Sequence, residues 1–188
     1  MKITEAPLPG VLHIEPRVFD DARGFFLETW SRARYREAGI KQEFVQDNLS
    51  YSSRGTLRGL HYQYPRGQGK LVQVYTGEVF DVAVDIRSDS PTFGQWFGKI
   101  LTAEKRNQLY VPPGFAHGFY VLSEAVLFGY KCTDYYSRAT EGGVQWNDPA
   151  IGISWPLQGE PILSAKDVVH GPLAQIPRDQ LPTMEASA

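Results

Sequence analysis

The run KLVQVYTGEVFDVAVDI, residues 70–86, constrains this chain more than any other stretch. Apolar and polar residues alternate along it with a period of two, the period of a strand whose successive side chains leave opposite faces. Thr76-Gly77 interrupts the alternation with a turn signal, so the spacing predicts two strands joined as a hairpin. In the second arm Phe80, Val82, Val84 and Ile86 share one face, while Val79, Asp81, Ala83 and Asp85 share the other. The row bearing carboxylates can line a barrel cavity or face solvent, and the pattern alone leaves both open.

Further strand-like segments lie at residues 108–111, 118–122, 126–133 and 143–146, a spacing that predicts a sandwich or barrel. With 18 Gly and 13 Pro spread along the chain, short strands and tight turns are favoured over long helices. One short helix is expected at residues 31–40, with Ser31 as N-cap and Gly39 as its stop. A length of 188 residues suits a single all-β domain spanning 1–188. Beyond Leu157 the chain turns Pro-rich and loses periodicity, and the ending PTMEASA predicts a tail fraying from about residue 180.

Nineteen basic and twenty-one acidic residues leave a formal charge of −2 with no basic block, which argues against nucleic acid as a partner. Cys132 is the single cysteine, so no internal disulfide can form, and MKITEAPLPG lacks the apolar run of a signal peptide. These features predict a cytoplasmic protein, and no apolar stretch is long enough for a membrane-spanning helix.

Four histidines are present: His13, His61, His117 and His170. His13 has no chemically active neighbours in sequence, and His170, in the weakly patterned C-terminal region, is expected at the surface. His61 lies in GTLRGLHYQ, where alternation puts Leu57, Gly59, His61 and Gln63 on one face and Arg58 and Leu60 on the other. His117 lies in VPPGFAHGF, whose prolines and glycines force a tight turn and hold the histidine at a strand end.

These two segments resemble the two motifs of the cupin superfamily, small jelly-roll barrels of the double-stranded β-helix type. Metal-binding cupins carry His-x-His and a Glu in the first motif, and a His after Pro-x-Gly in the second. Here Pro112-Pro113-Gly114 with His117 fits the second, but Gln63 stands in place of the second histidine and PRGQGK supplies no glutamate. Two imidazoles and an amide make a poor donor set for a divalent ion, so no catalytic metal is expected.

The resemblance sharpens over VFDDARGFFLETW, FVQDNLSYSSRGTLRGLHYQ, GKLVQVYTGEVFDVAVDIRSDSPTFGQW, VPPGFAHGF, YKCTDYYS, WNDPAIGISWP and LSAKD. In this order, from residue 18 to residue 167, they are similar to the dTDP-4-dehydrorhamnose 3,5-epimerase family. That resemblance implies a homodimeric cupin without metal or cofactor, acting on a dTDP-linked 4-keto-6-deoxy sugar at C3 and C5. It implies His61 as general base, Asp167 as its carboxylate partner, and Lys70 beside the developing C4 oxyanion. Strand alternation cannot choose among Tyr130, Tyr135 and Tyr136, and the resemblance selects Tyr130 as the acid. Arg23 and Arg58 correspond to diphosphate contacts, and Phe26, Glu28, Gln46, Asp47 and Asn48 to positions around thymidine. His117, Glu141 and Lys166 correspond to further substrate contacts, with Asp81 facing the same cavity. Part of the pocket is implied to come from the partner subunit, served by Arg23 and Glu28.

Three other activities share much of this pattern. One is an epimerase acting at C3 or C5 alone. The others are a metal-dependent cupin enzyme and a non-catalytic sugar-nucleotide binding module. Joint retention of His61, Tyr130 and Asp167 speaks against the last, because binding alone needs no acid and base.

Overall fold

The computed structural model describes residues 1–185. Its strands are β1 (Lys2–Glu5), β2 (Leu12–Glu15), β3 (Val18–Asp21), β4 (Gly24–Leu27), β5 (Gln46–Ser53), β6 (Leu57–Gln63) and β7 (Lys70–Thr76). They continue with β8 (Glu78–Asp85), β9 (Trp96–Thr102), β10 (Gln108–Val111), β11 (Phe115–Val121), β12 (Ala125–Cys132) and β13 (Glu141–Gly143). The helical part is α1 (Arg32–Glu37) and short 3₁₀ turns at Asp167–Val169, Leu173–Gln175 and Arg178–Gln180. A six-stranded sheet in the order β1-β2-β10-β7-β12-β5 packs against a five-stranded sheet in the order β13-β6-β11-β8-β9, with β3 and β4 forming a separate ribbon. This is the expected all-β jelly roll. Among the described residues no helix is long and apolar enough to cross a membrane.

Residues 70–86 form two strands as predicted, but not a hairpin. β7 pairs with β10 and β12, whereas β8 pairs with β11 and β9, so the Thr76-Gly77 turn carries the chain from one sheet to the other. Gly77 takes a φ of +82°, and a Cβ there would run into the Ala125 carbonyl oxygen. Alternation specifies which side chains share a face, but not which strand lies alongside. Crossing between sheets sets Val72 and Val74 of β7 opposite Val79 and Ala83 of β8 in the inner core, together with Phe119, Val121, Val126 and Phe128.

Both faces of β8 are covered. Val82, Val84 and Ile86 pack outward beneath Ile151, Leu173 and Leu181 from the C-terminal segment, with Trp155 alongside. The carboxylate row points inward: Asp81 and Asp85 are both fully buried. Asp85 is satisfied by Arg87 at 2.7 Å and 2.8 Å and by the hydroxyls of Ser90 and Thr92, each at 2.6 Å. On the outer face of the six-stranded sheet, Tyr35 of α1 and Ile40 cover Ile14, Leu71 and Tyr110.

Several boundaries differ from expectation. α1 is six residues long; Ser31 precedes it in extended conformation without a side-chain cap bond, and Gly39, at φ +99°, follows it. β13 ends at Gly143 because the Gln145 N–H then turns to the Gly171 carbonyl. The tail expected to fray from about residue 180 is tied down instead: Leu181 is buried, the Ser88 N–H donates to the Pro182 carbonyl, and the Met184 N–H donates to Asp89. The apolar Leu181 outweighs the tail's Pro-rich composition by closing the outer core. Residues 186–188 of that expected tail lie outside the described residues.

The feature that shapes the cavity is a bulge in β6. His61 pairs with His117 and Arg58 with Phe119, three steps along β6 against two along β11. The extra residue flips the parity of alternation, so Arg58 and His61 line one cavity rather than opposite faces. Gly59 sits in the bulge at φ +122°, and a Cβ on it would lie 2.6 Å from the Gly118 Cα. Gly59→Ala is expected to lower stability by roughly 2–4 kcal/mol, since a positive φ and overpacking each cost about 1–3 kcal/mol. An unchanged urea midpoint would show that the crossing tolerates a side chain.

Candidate active site

A cavity of about 380 Å³ opens between the sheets. The five-stranded sheet contributes Arg58, His61, Gln63, His117 and Glu141 to its wall, and the six-stranded sheet contributes Gln46, Asn48, Lys70 and Tyr130. Tyr136 and Lys166 enter from loops at the rim.

His61 projects from β6 next to the bulge, and its Nε2 lies 2.5 Å from Oδ1 of Asp167. Asp167 opens a 3₁₀ turn and is buried, and its Oδ2 accepts a 2.7 Å hydrogen bond from the Ser164 hydroxyl. Burial by itself would raise this carboxyl. The bonds from His61 and Ser164 outweigh it and hold Asp167 below the usual carboxylate range, hence ionised. An ionised carboxylate only accepts hydrogen bonds, so the bonded nitrogen of His61 carries the hydrogen, and the other ring nitrogen is the one that the pair leaves available to take a proton.

Tyr130 lines the cavity from the opposite sheet. Burial, with Cys132 and Glu141 nearby, raises its phenol above the ordinary value, against the opposing pull of Arg58. It is therefore a neutral proton donor near pH 7. Lys70, at the start of β7, has its ammonium pushed down by burial, with Cys132, Asp81 and Glu141 opposing. His117 is buried at the cavity wall, its Nε2 3.0 Å from both oxygens of Asp81. Asp81 thus acts from behind His117 rather than at the cavity surface.

A second polar cluster closes the rim. The Tyr136 hydroxyl donates to Glu141 Oε2 at 3.0 Å, and Lys166 pairs with Oε1 of the same carboxylate. Burial would raise Glu141, but these partners bring it below its usual range. Gln63, at the position of the missing metal ligand, is buried and accepts the Ser137 N–H at 2.7 Å while donating to the Tyr135 carbonyl at 3.2 Å. It fixes the loop that presents Tyr136. Gln46 and Asn48 bond each other at 2.9 Å, and Gln46 accepts the Tyr136 N–H.

Other expected site residues are not brought to this cavity. Asp47 points away, as strict alternation in β5 requires between Gln46 and Asn48, and pairs with Lys131 at 2.9 Å. Arg23 lies at the turn of the β3–β4 ribbon, paired with Asp21 at 2.6 Å; Phe26 on β4 is exposed, and Glu28 pairs with Arg34. Tyr135 is off the cavity, in contrast to Tyr130 and Tyr136, which line it.

His170 departs from its expected surface position. It is half-buried, its ring stands edge-on 6.1 Å from that of His61, and its Nε2 is buried without a hydrogen-bond partner among the described residues. Gly143 makes room for the ring, since a Cβ there would run into it. Sequence reading passed over two short spacings: Ser164 three residues before Asp167, and His170 three residues after it. A 3₁₀ turn places residues three apart on one side.

A jelly-roll barrel that sets a histidine of one sheet, bonded to the carboxylate of an adjoining 3₁₀ turn, across a cavity from a neutral tyrosine of the facing sheet defines a cupin equipped for acid–base chemistry. The dTDP-4-dehydrorhamnose 3,5-epimerase family profile matches residues 5–175, and the chain belongs to that family. A dTDP-4-dehydrorhamnose 3,5-epimerase of Pseudomonas aeruginosa is 55% identical over 168 residues, covering 89% of this chain and 93% of that protein. The enzyme of that name from Neisseria gonorrhoeae is 54% identical over 96% of this chain, which spans only 55% of that longer relative. The crystal structure of a dTDP-6-deoxy-D-glucose-3,5-epimerase from Legionella pneumophila, in complex with dTDP-4-keto-L-rhamnose, has a TM-score of 0.95 at 51% identity. It covers 97% of each chain.

The depressed Asp167 carboxyl has a consequence for stability. Its folded value lies below the unfolded one, so its contribution is complete above the ordinary carboxylate range and is lost as pH falls through the folded value. Asp167→Asn is expected to remove part of the acid-side decline in unfolding free energy, measured by urea titrations from about pH 5 downward to about pH 2. Parallel acid limbs for the two proteins would contradict the shift.

Proposed function

We propose that this protein inverts C3 and C5 of dTDP-4-dehydro-6-deoxy-D-glucose, giving dTDP-4-dehydro-L-rhamnose, as a cytoplasmic homodimer. The observation carrying this reading is the 2.5 Å His61–Asp167 pair on one wall of a cavity whose facing wall presents Tyr130. The protons at C3 and C5 are acidic because each flanks the C4 ketone, so removing one forms an enolate with its charge on the C4 oxygen. The free nitrogen of His61 takes that proton, and Asp167 stabilises the imidazolium that results. Tyr130 returns a proton from the other face, which inverts the carbon. Lys70 meets the oxyanion as a compact positive charge in a partly desolvated site.

The nucleotide is held further out. Arg58, at the rim, offers a guanidinium fork to the diphosphate, and Gln46 and Asn48 offer amides to the thymine edge. Glu141 and Lys166, already paired at the rim, contact the sugar nucleotide, and His117 with Asp81 orients it from below. Arg23, Phe26 and Glu28 reach the site of the partner subunit. Support for this exchange comes from the position of Arg23 and Phe26 on, and of Glu28 just after, a ribbon outside both main sheets that exposes Phe19, Phe25 and Phe26 to solvent.

In D₂O, with the 4-keto-6-deoxy substrate and no added cofactor, NMR is expected to show deuterium at both C3 and C5. Label at one carbon would reassign the protein as a single-site epimerase, and no label would leave the binding-module reading. His61→Ala or Asp167→Ala should slow exchange by about 10²–10⁴-fold. Tyr130→Phe should slow inversion more than the first loss of a proton. The shared pocket has its own test: inactive Arg23→Ala and His61→Ala proteins, mixed and allowed to exchange subunits, are expected to recover activity. A mixture as inactive as its components would place Arg23 outside the partner's site.

A further inference from the structure

The sequence argues against a cupin metal site because the first motif lacks its second histidine and its glutamate. The fold assembles a different donor set. His61, Asp167 and His170 each offer one ligand atom, and the three atoms lie within 4.8 Å of one another. His170 is the telling member: its ring stands beside that of His61, and its Nε2 is buried with no hydrogen-bond partner among the described residues. Leaving a buried polar atom unpaired costs free energy, and a bound cation is one way to satisfy an imidazole nitrogen in that position.

We propose that His61, Asp167 and His170 form a zinc-class divalent cation site that reversibly inhibits the enzyme. Two imidazoles and one carboxylate are a common donor set for such ions, with bonds of about 2.0–2.2 Å and a fourth position left for water. Ligand atoms in a tetrahedral site stand about 3.4 Å apart, so the His61–Asp167 pair opens from 2.5 Å as the cation enters while the His170 ring turns in to complete the set. The ring is held close by Gly143, which pairs with His61 across β13 and β6 and has no side chain to displace it. On binding, the cation takes the place of the hydrogen between His61 Nε2 and Asp167, and that proton moves to the other ring nitrogen, so the ring stays neutral and its remaining lone pair is used up. His61 then cannot accept a substrate proton. His170 has no part in the reaction itself, so it confers the sensitivity without being required for turnover.

The inhibition rests on His61 being the base, whereas metal binding does not, and the two are measured separately. Zn²⁺ is titrated into the full-length protein against a chromophoric chelator, and thermal unfolding is followed with and without Zn²⁺. Wild type is expected to bind one equivalent with micromolar or tighter affinity and to melt higher in its presence. His170→Ala, and His170→Phe, which keeps a ring against Gly143, should bind at least 10-fold more weakly. Both variants should keep substrate exchange within a few-fold of wild type and lose its inhibition by Zn²⁺. Absence of stoichiometric binding to wild type, or equal affinity in both His170 variants, would overturn the site. So would binding that survives in the His170 variants but disappears in Cys132→Ser. If Zn²⁺ binds as expected yet leaves exchange untouched, the inhibitory role fails and the base assignment of His61 with it.

Discussion

The active cavity depends on one close backbone crossing, that of Gly59 over Gly118. Neither position has room for a side chain, and Gly59 takes up the extra residue of the β6 bulge at a φ open to glycine. Without that residue, Arg58 and His61 would leave the strand on opposite faces. With it, the proposed phosphate anchor and the proposed base line one cavity, and His61 stands directly across from His117.

Around this crossing the barrel is buried on both sides, and the consequences are electrostatic. The outer cover of the C-terminal segment and the inner core leave β11 fully buried along its length. Carboxylates enter this environment only with partners: Asp85 with Arg87, Ser90 and Thr92; Asp81 with His117; Asp167 with His61 and Ser164. In a medium of low dielectric constant such pairs orient their members firmly, because an unpaired charge there is costly. The same environment raises the Tyr130 phenol, which keeps it protonated, and lowers the Lys70 ammonium, because burial disfavours the charge on both groups.

Much of the fold was legible in the chain. Alternation located β7, β8 and β10 closely, and Gly and Pro punctuation announced the short strands. The supposed hairpin at Thr76-Gly77 was not legible as a sheet crossing, because a turn signal does not encode which strand becomes the neighbour. Of the site, the residue types in GTLRGLHYQ, YKCTDYYS and LSAKD carried the chemistry. The rim cluster of Tyr136, Glu141 and Lys166 and the loop anchoring by Gln63 came from segments brought together by folding.

The sequence by itself determined the strand periodicity, the loss of the cupin metal ligands and the supply of a histidine, a tyrosine and carboxylates. These are local properties, written in residue type and in spacings of two to four. Only the tertiary structure decided that His61 meets Asp167 across 106 residues, that Asp47 turns away from the cavity, and that His170 stands beside the pair. Those outcomes depend on strand register, on one inserted residue and on the missing side chain of Gly143. Each changes which groups meet while leaving the local pattern of the chain untouched.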